Sequence, residues 1–176
     1  ITMSGKAIGT SLSFGFPGCV TRNPDTIISS FANVGDDPIQ FGEPVVFDAA
    51  KNGVRKIKGT DTTNAGLIGI AVRRIGQPYE DSENGWYYKV GDIVDVLVRG
   101  SIAVELAATT SAAARGKVYV YNGSKAGTLT THKPGLLVCV NDSTNNDTIE
   151  LPNTVLTTGK YDSGNIAEVT ILTRAI

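Results

Sequence analysis

Few side chains in this sequence have the chemistry that catalysis requires. His132 is the only histidine, and histidine is the side chain best suited to act as a general base near neutral pH. A Ser-His-Asp triad would need this residue, but no G-x-S-x-G motif presents a serine nucleophile. A single histidine also excludes a metal site made of several histidines within the chain. We therefore expect His132 to lie on the surface, in a turn beside Lys133-Pro134.

Cys139 is the second candidate, because a cysteine and His132 could together form a thiol dyad. It lies within the apolar run Leu136-Leu137-Val138-Cys139-Val140, and burial raises the pKa of a thiol and makes it unreactive. The other cysteine is Cys19, and two cysteines do not make a disulfide scaffold. We predict two reduced, inert thiols.

Two acids, Asp95 and Glu168, each stand third in a strand of alternating apolar residues. Glycoside hydrolysis needs only two carboxylates, so a glycan-acting enzyme that uses this pair stays an alternative. Acids that alternate with valine are more simply explained as the solvent face of a sheet. We predict no catalytic residues, no cofactor and no metal site, and we predict that the protein is not an enzyme.

Charge and motif content argue against other ligands. Lys and Arg number 16 against 17 for Asp and Glu, and the short basic cluster Arg55-Lys56-Ile57-Lys58 is offset by acids, so nucleic acid is not an expected partner. The acidic loop around Asp81 lacks the spacing of a calcium loop, and residues 159–165 lack that of a P-loop. No apolar run is long enough to span a membrane, so we predict no membrane partner.

The elements that carry these residues occur in two stretches with the same plan, 42–100 and 116–174. Each begins with an apolar run and an Asn-Gly pair, at Asn52-Gly53 and at Asn122-Gly123; Asn-Gly between apolar runs is the strongest short-range hairpin signal. A Gly-led apolar run follows, from Gly66 and from Gly135, and an alternating strand closes each stretch. The sequence therefore predicts an all-β fold in which two similar β units form a barrel or sandwich.

Within these units, the periodicity predicts which aliphatic side chains are buried and where the chain is irregular. Residues 152–165 read as an extended connection, and Ser111-Ala112-Ala113-Ala114 as a possible single helical turn. The predicted buried residues are Val46, Ile68, Ile70, Val94, Val96, Val98, Val118, Val120, Leu137, Val169 and Ile171.

Residues 1–38 differ from the β domain predicted for 39–176. Glycine and proline are scattered among large apolar residues, and neither a helical nor a strand period persists. The segment is too apolar for a solvated tail, so we expect an extended arm that either wraps its own domain or reaches a neighbouring subunit. The candidate interface residues in this arm are Phe14, Phe16, Pro17, Arg22 and Phe31.

An insertion at residues 75–88 ends in three adjacent aromatic residues, Trp86, Tyr87 and Tyr88. These residues suit a strand with rings on alternate sides, and exposed rings would suit a protein contact or a sugar platform. We add the three to the candidate interface. A carbohydrate-binding or receptor-binding module is therefore an alternative function.

Taken together, the ordered motifs of this chain resemble those of the capsid cement or decoration proteins of tailed bacteriophages. The motifs that carry the resemblance are Phe14-Gly15-Phe16-Pro17-Gly18, Arg22-Asn23-Pro24-Asp25-Thr26-Ile27, Phe41-Gly42-Glu43-Pro44-Val45-Val46, Gly66-Leu67-Ile68-Gly69-Ile70-Ala71, Val94-Asp95-Val96-Leu97-Val98-Arg99-Gly100 and Gly116-Lys117-Val118-Tyr119-Val120. The resemblance implies a β protein, made in the host cytoplasm, that assembles as a homotrimer on the outer surface of the phage head. There it would tie neighbouring major capsid proteins together, without catalytic residues.

Overall fold

The computed structural model describes residues 14–74, 79–81, 85–107, 111–124, 132–142 and 146–173. These residues form twelve strands and no helix, which confirms the predicted all-β class. It follows that the described part of the chain contains no helix that could cross a membrane. The strands are β1 Val20–Ala32, β2 Ile39–Gln40, β3 Pro44–Asp48, β4 Gly53–Lys56, β5 Leu67–Ala71, β6 Tyr79–Asp81, β7 Gly85–Tyr88, β8 Ile93–Glu105, β9 Lys117–Tyr121, β10 Leu137–Val138, β11 Thr148–Tyr161 and β12 Ile166–Ile171.

The nine-stranded main sheet is antiparallel and is organised around β8. The order β10-β9-β11-β12-β8-β5-β3-β4 runs through it, and β1 also pairs with β8. β2, β7 and β6 form a separate three-stranded sheet. Two series of strands have the same pairing order: in the first series β8 is followed by β5, β3 and β4, and in the second β12 is followed by β11, β9 and β10.

The last strand of each series also forms a single parallel bridge to another segment of the chain. Val54 of β4 bridges to Asn33, which directly follows β1, and Leu137 of β10 bridges to Leu106, which directly follows β8. The segment after β1 thus bridges to the last strand of the first series, and the segment after β8 bridges in the same way to the last strand of the second series. β8 therefore takes part in both series. The result is sandwich-like and not a closed barrel. This common order supports the proposal of two units, but it matches β10 to β4 and β11 to β5, so the predicted equivalence of the runs from Gly66 and from Gly135 is wrong.

β1 and β11 are the two long strands that the sequence did not predict. β1 lies within the predicted arm and pairs along β8 from Ala32 opposite Ile93 to Val20 opposite Ile102. This part of the arm therefore lies on its own sheet, which was one of the two alternatives. β11 replaces most of the predicted connection at 152–165, because it pairs with both β9 and β12. Residues 111–114 form no helical turn.

The two Asn-Gly pairs have different environments. The predicted hairpin of β3 and β4 is confirmed; Asn52, with a positive φ of 51°, ends its turn, but Gly53 begins β4 and does not lie at the tip. Gly53 is needed for space, since a Cβ there would lie 2.5 Å from Val34 Cγ1 and 2.6 Å from the Ala32 carbonyl oxygen. Asn122, by contrast, is fully buried. The second strand of its predicted hairpin, Thr128–Thr131, lies outside the described residues.

The core consists of one large cluster that draws on both strand series, a smaller cluster that joins the first series to β2 and β7, and a minor group of Ala107, Tyr121 and Val138. In the large cluster, Val46, Ile57 and Ile70 of the first series lie with Val118, Val120 and Leu156 of the second. The smaller cluster contains Ile39, Phe41, Val45, Val94 and Val96. Every residue predicted to be buried is buried except Ile68, which is half-buried against the smaller cluster.

Candidate protein interface

Backbone contacts hold residues 14–22 against both strand series. The amide of Phe14 donates to Asp162 Oδ2 at 3.1 Å, and the amide of Gly18 donates to the Ala103 carbonyl oxygen at 2.8 Å. The Gly18 carbonyl oxygen accepts from the amide of Arg73 at 2.7 Å. A Cβ on Gly18 would lie 2.7 Å from that same amide nitrogen, and its φ is +82°, so only glycine suits this close approach. These contacts fix the position of the adjacent Phe16.

Phe16 and Trp86, 70 positions apart in the sequence, share one cation. The Arg73 guanidinium carbon lies 4.6 Å from the centre of the Phe16 ring and 5.5 Å from that of Trp86. Both distances lie within the range of cation-π attraction. Phe16 is 62% exposed and Trp86 is 36% exposed. Arg73 is half-buried, and we call the group of Phe16, Arg73 and Trp86 the aromatic-arginine patch.

Tyr88 is buried next to this patch and holds β7 in place. Residues two apart on a strand share a face, so Tyr88 lies on the same side of β7 as Trp86. Its hydroxyl donates to the Val72 carbonyl oxygen at 2.6 Å, and its ring meets Phe41 edge to face at 5.1 Å. Burial raises the pKa of Tyr88 to about 12. Tyr88 was a candidate interface residue, but its side chain is buried and supports the strand instead.

Arg73 has no ion pair with any of the acids whose side chains the structure describes. Its positive charge therefore lies close to two aromatic rings. The sequence analysis did not select this residue. Two adjacent arginines do not by themselves indicate an interface in a sequence. Arg73 becomes a candidate only through its contact with Phe16, and that contact depends on the fold.

Arg22, a predicted interface residue, is bound within its own chain. Its Nε and Nη2 donate to the two carboxylate oxygens of Glu168 at 2.7 and 3.0 Å, and the Thr21 hydroxyl donates to Oε1 at 2.6 Å. Glu168 is only 4% exposed, so the expectation that it lies on a solvent face is wrong. Burial alone would raise the pKa of this carboxyl, but the hydrogen bonds from Arg22 and Thr21 outweigh it and lower the pKa. The pair links β1 to β12.

The other predicted interface residues are partly buried. Phe31 meets Phe47 edge to face at 5.8 Å and packs against the smaller core cluster. Phe14, Pro17 and Tyr87 are half-buried. Of the eight predicted residues, Phe16 and Trp86 are therefore the two that the structure brings together in one exposed place.

The proposed carboxylate pair is not assembled as a glycosidase would require. Glu168 lies opposite Ala103 of β8, whereas Asp95 lies near the start of the same strand and accepts from the Ser30 hydroxyl at 2.7 Å. The interval from Asp95 to Ala103 spans about 26 Å of extended strand at about 3.3 Å per residue. A glycosidase pair is separated by about 5 to 10 Å.

His132 and Cys139 also have different environments from those of a thiol dyad. His132 is half-buried, which corrects its predicted surface position. It stacks on Tyr121 with 4.2 Å between ring centres, and its Nδ1 lies 2.7 Å from Asp147 Oδ2. Burial raises the pKa of Cys139 to about 11, so its thiol stays protonated at neutral pH, as its apolar run predicted.

Comparisons with known proteins agree with the resemblance in the sequence. The family model described as "Structural cement protein (E217 gp24/Pam3 gp6)" matches residues 5–172. A chain in the structure "The capsid of Myoviridae Phage XM1" has a similar fold, with a TM-score of 0.71 and 17% identity over 99% of this chain and 100% of that one. No curated protein matches the sequence. The family is a structural one and not a known enzyme family. Because the family match extends from the arm through both strand series, the chain belongs to the phage structural cement proteins.

Proposed function

We propose that this cement protein binds the outer surface of a phage head as a homotrimer and holds neighbouring major capsid proteins together, without catalysis. Membership of the cement family supports the structural role. The proposal adds three points to family membership: the location on the outer surface, the trimer and the capsid partner. In this role the protein would act in the virion after synthesis in the host cytoplasm.

The aromatic-arginine patch is the observation that carries the proposed contact. Trp and Arg are the side chains most enriched at the energetic centres of protein interfaces, and here both stand in one group with Phe16. The remaining candidates, Phe14, Pro17 and Tyr87, are half-buried and are proposed to form the margin of the contact. Arg22 and Phe31 position the arm through Glu168 and Phe47.

The charge of Arg73 indicates the chemistry of the partner surface. A guanidinium that contacts an aromatic ring can still donate through its planar N–H groups, and those groups match the two oxygens of a carboxylate. We propose that Arg73 receives an Asp or Glu side chain of the major capsid protein, next to apolar residues that cover Phe16 and Trp86.

Co-sedimentation with undecorated heads tests this proposal. Wild-type protein should sediment with the heads, whereas Arg73→Gln and Trp86→Ala should weaken binding about tenfold or more, as truncation of an interface centre does. Val140→Ala is the matched control, because Val140 is an exposed apolar residue outside the patch, and it should bind normally. If both patch variants bind as well as wild-type protein, the patch is not the contact. If wild-type protein does not bind heads, the proposed function is wrong.

The carbohydrate-binding alternative receives less support from the geometry. A platform of three rings would need Trp86, Tyr87 and Tyr88 together on the surface, but Tyr88 is buried and Trp86 lies against Arg73. Addition of oligosaccharides should therefore leave the fluorescence of Trp86 unchanged. A saturable change would favour the carbohydrate-binding module.

A further inference from the structure

Three side chains with metal-binding atoms converge beside the end of β9. They are His132, which precedes β10, Asp142, which lies between β10 and β11, and Asp147, which directly precedes β11. One ligand atom from each lies within 4.8 Å of the other two. Asp147 is fully buried, and the other two are half-buried. This group is therefore not one of the solvated acidic clusters that are common on protein surfaces.

Contacts from neighbouring residues hold each of the three in place. The His132 ring stacks on Tyr121, with an angle of 11° between the ring planes. The amide of Asp142 donates to Thr148 Oγ1 at 2.9 Å, and the carbonyl oxygen of Asp147 accepts from the amide of Asn122 at 3.0 Å. The two hydrogen bonds fix the backbone of the two acids, and an outer contact that orients a ligand, such as that of Tyr121 with the His132 ring, is typical of protein metal sites.

The distances suit one ion with tetrahedral geometry. Two ligand atoms that are each about 2.1 Å from a tetrahedral ion lie about 3.4 Å apart. Nδ1 of His132 lies 2.7 Å from Asp147 Oδ2, and one ligand atom from each of the three residues lies within 4.8 Å of the others, so the group is compact enough for one ion. Small side-chain rotations would therefore bring all three to bonding distance, and a fourth position would remain for water.

The donor set selects the class of ion. One imidazole nitrogen with two carboxylate oxygens suits Zn²⁺ and similar first-row divalent ions, whereas Ca²⁺ and Mg²⁺ prefer oxygen ligands alone. We propose that His132, Asp142 and Asp147 form a structural binding site for one divalent transition-metal ion, with Zn²⁺ as the first candidate. The ion would join the end of β9 to the segments that enter β10 and β11. The site does not depend on the proposed capsid contact.

Zinc titration of the full chain after chelator treatment tests the site. Isothermal titration calorimetry should show saturable binding of one Zn²⁺ per chain, and Zn²⁺ should raise the midpoint of thermal unfolding. Co²⁺ should give the visible absorption spectrum of a tetrahedral site. Mg²⁺ and Ca²⁺ at the same concentration should change neither heat nor midpoint. Absence of Zn²⁺ binding by wild-type protein would overturn the proposal.

Variants distinguish this site from Zn²⁺ bound elsewhere. Asp142→Asn and His132→Gln should each weaken Zn²⁺ binding at least tenfold, whereas Asp37→Asn, a change at an exposed acid, should leave it unchanged. Asp142→Asn keeps the His132 contact with Asp147, so it remains informative if His132→Gln unfolds. Zn²⁺ binding that survives Asp142→Asn with wild-type affinity would contradict the proposed ligand set.

Discussion

At the residue scale, two aromatic side chains of the N-terminal segment have different roles: one packs against the core and the other lies on the surface. Phe31 packs against Phe47 and the smaller core cluster, whereas Phe16 is 62% exposed and contacts Arg73. The sequence analysis placed both in one interface because they share type and segment. Their difference depends on β1, which carries Phe31 onto the sheet and leaves Phe16 beyond its end.

The first prediction compares these two residues. Phe31→Ala should lower the free energy of unfolding by about 1 to 3 kcal/mol, because a partly buried ring loses transfer energy and packing. Phe16→Ala should change it by less than about 0.5 kcal/mol, as exposed positions usually do, yet weaken binding to heads. Urea unfolding and co-sedimentation measure the two effects. Equal destabilisation by both changes would contradict the division.

The second prediction concerns Glu168, whose pKa folding lowers from its ordinary value of 4.5. A carboxyl with a lowered pKa stabilises the folded state above its unfolded pKa, and this stabilisation disappears as the pH falls through the folded value. The unfolding midpoint should therefore fall as the pH drops below about 4.5. Glu168→Gln should reduce this acid sensitivity, whereas Glu105→Gln, at an exposed acid, should not. A wild-type acid response in Glu168→Gln would show that other carboxyls control it.

At the element scale, the strands with clear alternation or Gly-led apolar runs were predictable, and β1 and β11 were not. In β11, Leu151, Thr154 and Leu156 are buried, but Pro152 and Asn153 between them and Thr157-Thr158-Gly159 after them hide the pattern of a strand. Its stability comes from two partners, β9 and β12, and such pairing is a property of the fold and not of local sequence. The same reason applies to β1, where residues 23–26 form an irregularity in the pairing with β8.

The third prediction tests the contact between β5 and β8. A Cβ on Gly69 would lie 2.2 Å from the Leu97 carbonyl oxygen, so Gly69→Ala should separate the strands and cost about 1 to 3 kcal/mol of unfolding free energy. Gly164→Ala is the matched control, because a Cβ there would meet only Asp162 Oδ1 at 3.3 Å and Ile166 Cγ1 at 3.8 Å. Thermal or urea unfolding measures both. Equal stability of the two variants would show that β5 accommodates the methyl group.

At the scale of the whole molecule, the two strand series share both a strand and a core. β8 pairs with β5 along one part and with β12 along another, and the large core cluster contains residues of both series. The sequence predicted two units, beginning at Gly42 and at Gly116. It could not show that the end of β8 lies beside the second series in the same way that the end of β1 lies beside the first. That equivalence appears only in the strand pairing and the bridges of Asn33 and Leu106.

The shared core leads to the last prediction, that the two series unfold together. Ile57 follows β4 and is 1% exposed in the large cluster, so Ile57→Ala should cost about 2 to 5 kcal/mol. Because Val118 and Val120 of β9 belong to the same cluster, the loss should also accelerate hydrogen exchange at the amides of β9. Exchange measured by mass spectrometry should then show equal losses of protection in β3 and β9, as expected for one cooperative unit. Unchanged protection in β9 would contradict this prediction and would mean that the second series unfolds independently of the first.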